Sequence, residues 1–164
     1  MKQPSIRKLK NLIIILTLLC VSVFSSYNAS AQQFISADQI HSNLTNYPDF
    51  SSLCFGLNST AYLKSNGLTI IGNAPILNLD IDGSALGQIN IAGIPSSIKL
   101  IRVRVNSPAE LNLNALNLQL YNYTNLKYVV VETSFELTSS QINSLQLPAA
   151  SSNVVCVYSV SIPH

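Results

Sequence analysis

The sequence predicts an α+β domain built on a mainly parallel β sheet, with short crossover helices and an N-terminal helix capping one end. Three observations carry this. Six runs rich in β-branched residues are separated by Gly, Asn and Pro. Two stretches read strand, helix start, strand, the order that joins parallel strands through crossovers. Three helix starts are written in side-chain capping chemistry. The same strands also allow an antiparallel β-sandwich with peripheral helices.

Taken in chain order, residues 1–31 read as a secretory signal peptide. Lys2, Arg7, Lys8 and Lys10 precede an apolar run from Leu12 to Phe24, and Ala29-Ser30-Ala31 offers small residues at a cleavage site. The run is shorter than the roughly 20 residues of a membrane span, so no transmembrane anchor is expected in the mature chain. Cys20 follows Leu19 where lipoprotein processing wants a small residue. The expected location is therefore secreted, periplasmic or cell-surface. Residues 32–67 form the N-terminal helix and cap, and residues 68–164 the repeat-like β/α region, together one domain.

Export changes the electrostatics. Four of nine basic residues lie in the signal, leaving five against seven acidic ones, so the formal charge moves from +2 to −2. Lys64, Lys99, Arg102, Arg104 and Lys127 make no patch able to neutralise several phosphates. Nucleic acid is therefore excluded as a partner.

The first helix start lies in FISADQI: Ser36 caps, Gln39 reaches back, and Ile35 and Ile40 form a staple. The helix stops before Pro48. LTSSQI repeats the pattern with Thr138, Gln141, Leu137 and Ile142. NSPAEL places Ser107 at the cap, Pro108 at the first helical position and Glu110 in the first turn. The strands are expected at 68–71, 76–81, 88–92, 98–105, 126–133 and 153–160.

Internal repetition sharpens the arrangement. The frame L-x-x-L-x-L-x-x-N is met with aliphatic substitutions by Ile98, Ile101, Val103 and Asn106, and by Leu126, Val129 and Val131 with Ser134 in the Asn place. Ile76, Leu79, Ile81 and Ser84 follow it more loosely. In segments such as IPSSIKLIRV and YTNLKYVVV the chain resembles bacterial secreted leucine-rich-repeat proteins of the irregular surface type. The strand anchors Leu79, Ile101, Val129 and Val155 lie 22, 28 and 26 residues apart, within that repeat's range. The resemblance implies a leucine-rich-repeat-like sheet that serves as a binding or adhesion module, presenting a strand face to a protein or glycan without chemistry of its own.

Aligning those anchors as stacked parallel strands sorts the outward positions into rows. One row is Asp80, Arg102, Val130, Cys156; the next is Asp82, Arg104, Glu132, Tyr158. Each arginine gains an acidic neighbour. Asp80, Asp82, Arg102, Arg104, Glu132 and Tyr158 form the candidate binding face, read either as a grip for a carboxylate, sulfate or acidic sugar or as a solvent-facing ladder of ion pairs. Cys54 and Cys156 allow a single disulfide or two buried thiols, and a simple stack holds them too far apart to bridge.

Catalytic, metal and cofactor constellations are not written in the chain. Asp80-Ile81-Asp82-Gly83-Ser84 lacks the further acids of a calcium loop. His41 and His164 give no zinc spacing, and His41 reads as a surface residue on the first helix. No nucleophile elbow, phosphate loop or dinucleotide glycine pattern is present. No cofactor is expected, and the protein reads as a non-enzyme. A structural envelope or matrix component and a secreted hydrolase are the alternatives. Asn43, Asn58 and Asn122 head glycosylation sequons, and Tyr121, Tyr123 and Tyr128 crowd the entry to one strand.

Overall fold

The computed structural model describes residues 34–89, 93–111, 123–145 and 154–161, all within a compact unit spanning Ala31–His164. The fold is α+β, a seven-stranded and mostly parallel sheet with few short helices. In chain order the elements are β1 (Ile35–Ser36), α1 (Ala37–His41), a 3-10 turn (Leu44–Asn46), α2 (Phe50–Phe55), β2 (Thr60–Lys64) and β3 (Gly67–Ile71). They continue with β4 (Asn78–Asp82), a 3-10 helix (Gly83–Gln88), β5 (Leu100–Val105), a 3-10 turn (Pro108–Glu110), β6 (Tyr128–Thr133), α3 (Ser139–Ser144) and β7 (Val155–Val160).

The spatial order is β1-β7-β6-β5-β4-β2-β3. Every lateral pair is parallel except the β2–β3 hairpin. The hairpin turns at Ser65-Asn66, and Gly67 takes a φ of 120°, a conformation without penalty for glycine. Strands β4, β5, β6 and β7 lie side by side in chain order, each joined to the next by a crossover.

Alternation divides the sheet into two faces. Leu79, Ile81, Ile101, Val103, Val129 and Val131 point to the larger core, where Ala85, Leu86 and Ile89 pack over them together with Leu126, Leu145 and Val154. Leu100, Tyr128, Val130 and Val157 point the other way, against Ile40, Phe50 and Leu53 from the helices. Fully burying such an aliphatic side chain contributes about 1.5–3 kcal/mol, so both faces matter to stability.

The capping boxes of α1 and α3 are present as written. Ser36 Oγ accepts from the Gln39 N–H at 3.2 Å while Gln39 Oε1 accepts from the Ser36 N–H at 2.9 Å. Thr138 and Gln141 repeat the exchange at 3.3 and 2.9 Å. Ser107 does not cap: its side chain makes no capping bond. Glu110 instead folds back, its Oε2 accepting from the Asn106 N–H at 2.9 Å. That side chain lies over Gly83, where a Cβ would stand 2.7 Å from Glu110 Oε2 and 3.1 Å from the Arg104 carbonyl.

Other expectations need correction. Segment 88–92 is not seen as a strand: residues through Gln88 are 3-10 helix, Ile89 caps it, and 90–92 lie outside the described residues. Strands β1 and β2, absent from the sequence reading, form the edge beside β7 and the neighbour of β4. Residues 37–55 lie over a face of the sheet, from β7 toward β4. The signal segment 1–31 lies outside the described residues. Among the described residues no helix is long and apolar enough to cross a membrane.

Candidate functional site: the charged strand face

Parallel pairing sets Asp80 beside Arg102 and Val130, and Asp82 beside Arg104 and Glu132. This is the register expected from the anchors Leu79, Ile101 and Val129. At β7 it slips by one. Cys156, not Val155, pairs with Val129, so Val157 and Ser159 complete the two charged-face rows. Tyr158 pairs with Val131 and packs against the larger core on the opposite face, away from the arginines. The physical reason is that Val154, Val155, Cys156 and Val157 are all apolar and both sheet faces are covered there, which erases the alternation that marks phase.

The same slip separates the cysteines. Cys156 is buried in the larger core, whereas Cys54 packs with the helices on the charged face; both are free thiols with the sheet between them. Burial pushes the Cys156 thiol up to about 12. Cys54 is also raised by burial, against the pull of the neighbouring Arg102 guanidinium.

Four charged side chains form a network between β4 and β6. Arg104 Nη2 donates to Asp80 Oδ2 at 2.8 Å, and Arg102 Nη1 lies 3.7 Å from Asp80 Oδ1. The Nε atoms of Arg102 and Arg104 lie 3.8 and 4.0 Å from Glu132 Oε2. Asp82 has no ion-pair partner among the described residues, although it is the lateral neighbour of Arg104. Asp80 is buried, and its carboxyl is raised above 3.8 because desolvation outweighs the two arginines.

Helix α2 docks its C-terminal end onto this face. The Leu53 carbonyl accepts from Asn78 Nδ2 at 2.8 Å, and the Cys54 carbonyl from Arg102 Nη2 at 2.9 Å. Asn58 Nδ2 donates to the Ser52 carbonyl at 2.7 Å and the Leu53 carbonyl at 3.3 Å. Side chains thus satisfy the Leu53 and Cys54 carbonyls at the helix end, while the Ser52 carbonyl also accepts from the Gly56 N–H. Asn58 is a cap as well as a sequon residue; Asn43 is exposed, and Asn122 lies outside the described residues. At the helix's other end Asp49 pairs with Lys127, which precedes β6.

Beyond α2 the charged face is open. A pocket of about 220 Å³ is bounded by His41, Phe55, Arg102, Arg104, Glu132 and Ser159, among others. A second, of about 440 Å³, lies on the β2–β3 side, where Leu57, Asn58, Tyr62, Ile71 and Asp80 line it. Cys54, Arg102 and Arg104 line both. The rim is apolar and exposed: Phe55 is 70% and Leu57 108% accessible, and Ile71 on the facing hairpin 61%. The His41 and Phe55 rings stack at 5.9 Å with 23° between their planes.

The structure thus brings together Asp80, Arg102, Arg104 and Glu132, with Asp82 beside them, and sends Tyr158 elsewhere. Tyr123 is buried in the larger core, Tyr128 is buried beneath Phe50 with ring centroids 5.2 Å apart, and Tyr121 lies outside the described residues. Phe55, Leu57, Asn78 and Ser159 were not legible as site residues. Only the phase of β7 could have pointed to Ser159, and nothing local marks the others. No group of three or more His, Cys, Asp or Glu is placed to hold a metal ion among the described residues. Comparison with family models, curated proteins and solved structures gives no match to this chain.

Proposed function

We propose that this protein is an exported, non-enzymatic binding or adhesion module that presents its charged strand face to a protein or glycan. One observation carries the reading: the open half of that face, floored by the arginine network, is rimmed by the exposed Phe55 and Leu57. Large apolar side chains beside a polar concavity are the usual makings of a recognition surface. The finer architectural reading, a degenerate leucine-rich-repeat-like stack with the N-terminal helices as its cap, is supported by β4 to β7 lying side by side in chain order.

The test is affinity capture from native envelope with the wild type and a Phe55→Ser/Leu57→Ser variant of equal thermal stability. A stoichiometric partner that is lost with the variant supports binding through this face. Uniform recovery of both proteins with bulk matrix supports a structural envelope component instead. Turnover in a broad hydrolase screen, abolished by Asp80→Ala or His41→Ala, overturns the non-enzymatic reading.

A further inference from the structure

We infer that the charged face binds a linear, uncharged glycan laid across the strands; this rests on the binding-module reading and gives it a ligand class. The two pockets adjoin at Arg102 and Arg104 and together run from Ser159 on β7 to Ile71 on β3. That path crosses five inter-strand steps, about 24 Å in all, the length of roughly four to five linked pyranose rings.

The chemistry along the path suits sugar hydroxyls. The half-exposed guanidinium of Arg104 stands beside the partly exposed Glu132 carboxylate, with the buried Asp80 carboxylate holding it in place. Vicinal hydroxyls, each both donor and acceptor, can meet such alternating partners. The hydroxyl and amide groups of Ser159, Tyr62 and Asn58 extend the polar lining. Phe55 supplies the other half of sugar recognition. Its ring is held by stacking on His41 and remains 70% exposed, offering a flat surface to the C–H face of a pyranose.

Charge and backbone geometry separate this ligand from the others. Two arginines face two carboxylates, so the network is balanced, and a polyanion finds no net positive field there. An extended peptide draws its affinity from the free backbone groups of a sheet edge. Here the floor is β6, β5, β4 and β2, which lie between neighbouring strands, and β7, which β1 covers at Val157 and Tyr158.

The experiment is amide chemical-shift titration of the purified protein with neutral hexasaccharides: β-1,4-linked glucose, N-acetylglucosamine and mannose, and α-1,4-linked glucose. Hexagalacturonate and an uncharged hexapeptide are the comparators. The expected result is binding of at least one neutral hexamer, with shifts at Phe55, Asn58, Arg104 and Ser159, tightening from trimer to hexamer. Phe55→Ala should weaken it about tenfold or more, and Phe55→Tyr should retain it. Silence with all four neutral hexamers, a response to hexagalacturonate or the peptide alone, or binding untouched by Phe55→Ala at equal thermal stability overturns the inference. If the hexamers fail while envelope capture still finds a Phe55-dependent partner, only the ligand class falls; if both fail, the binding-module reading falls too.

Discussion

Arg104 reaches diagonally to Asp80, 2.8 Å from Nη2 to Oδ2, although its lateral neighbour on β4 is Asp82. The diagonal reach draws both arginines onto one buried carboxylate. Arg102 lies deeper than Arg104, its side chain 17% against 47% exposed, and it alone donates to the α2 carbonyl of Cys54. Arg102→Ala should therefore cost about 1–3 kcal/mol, since it leaves a buried acceptor and a helix carbonyl short of partners. Arg104→Ala should cost about 0.5–1 kcal/mol, as a half-exposed pair does. Urea unfolding of the two variants decides the order. The charge swap Arg104→Glu with Glu132→Arg should not restore stability, because a glutamate at 104 would confront Asp80; full recovery would mean that Glu132 is the main partner of Arg104.

The pH response of Asp80 follows from its raised carboxyl. The folded protein holds this proton more tightly than the unfolded chain, so Asp80's contribution is fully present below 3.8 and is lost as pH rises through its folded value. Asp80→Asn removes that dependence. The wild-type-minus-variant difference in unfolding free energy should accordingly fall as pH rises from below 3.8 toward neutrality, measured by urea titrations at a series of pH values. A difference that grows over that window would mean that pairing to the arginines outweighs burial.

The cysteines should behave as two unlinked thiols of unequal access. Non-reducing peptide mapping should find no Cys54–Cys156 bond. Alkylation of the native protein at mild alkaline pH should spare Cys156, buried and raised to about 12, until denaturant is added. A bridged peptide, or Cys156 labelled in the native state as fast as Cys54, would contradict the placement of the two on opposite faces.

At the turn after β5, Ser107→Ala should change stability by only a few tenths of a kcal/mol, because Ser107 makes no capping bond. Glu110→Ala should cost about 1 kcal/mol, through the lost bond to the Asn106 N–H and the uncovered Gly83. Thr138→Ala, at a working capping box, should cost about as much. Thermal melts of the three variants suffice. Equal losses at Ser107 and Thr138 would restore Ser107 as the cap.

Gly72 and Gly67 both have positive φ, 99° and 120°, but only Gly72 faces a neighbour: a Cβ there would lie 2.4 Å from Ser59 Oγ and 2.9 Å from Ser59 Cα. Gly72→Ala should therefore destabilise more than Gly67→Ala, which meets open space, by about 1 kcal/mol or more. Equal melting temperatures for the two would count against the close approach of the 59 and 72 backbones.

These residues also mark how far the sequence could be read. The pairing of β4, β5 and β6 was legible because charged residues mark the phase of each, Asp80 and Asp82, Arg102 and Arg104, and Glu132 after the apolar run of β6, and opposite charges fall side by side. At β7 the run of apolar residues carries no phase, and the register slipped there. Strand β2, TAYLK, has few β-branched residues, and its place beside β4 comes from burial of Ala61 and Leu63 in the core. Helix α2 has no side-chain cap at Asp49, and its far end is held by Asn78 and by Arg102, the latter 48 residues from its partner. Contacts of that span leave no local pattern, which is why Arg102 read as a surface charge and not as a helix clamp.

The pairing of Ile35 with Val157 has a kinetic consequence. It joins segments about 120 residues apart, so the loop-closure entropy falls on the last step of assembly and not the first. Strands β4 to β6 can zip in order of synthesis, while β1 waits for β7 to emerge. Until then α2 is held to β4 and β5 through Asn78 and Arg102, while Ile40 and Val130 lack the Val157 side of their cluster. A chain stopped short of Val155 would lack Val155 and Val157 and so expose the β7 side of this apolar cluster, a state that holding chaperones and proteases can tell from the finished fold.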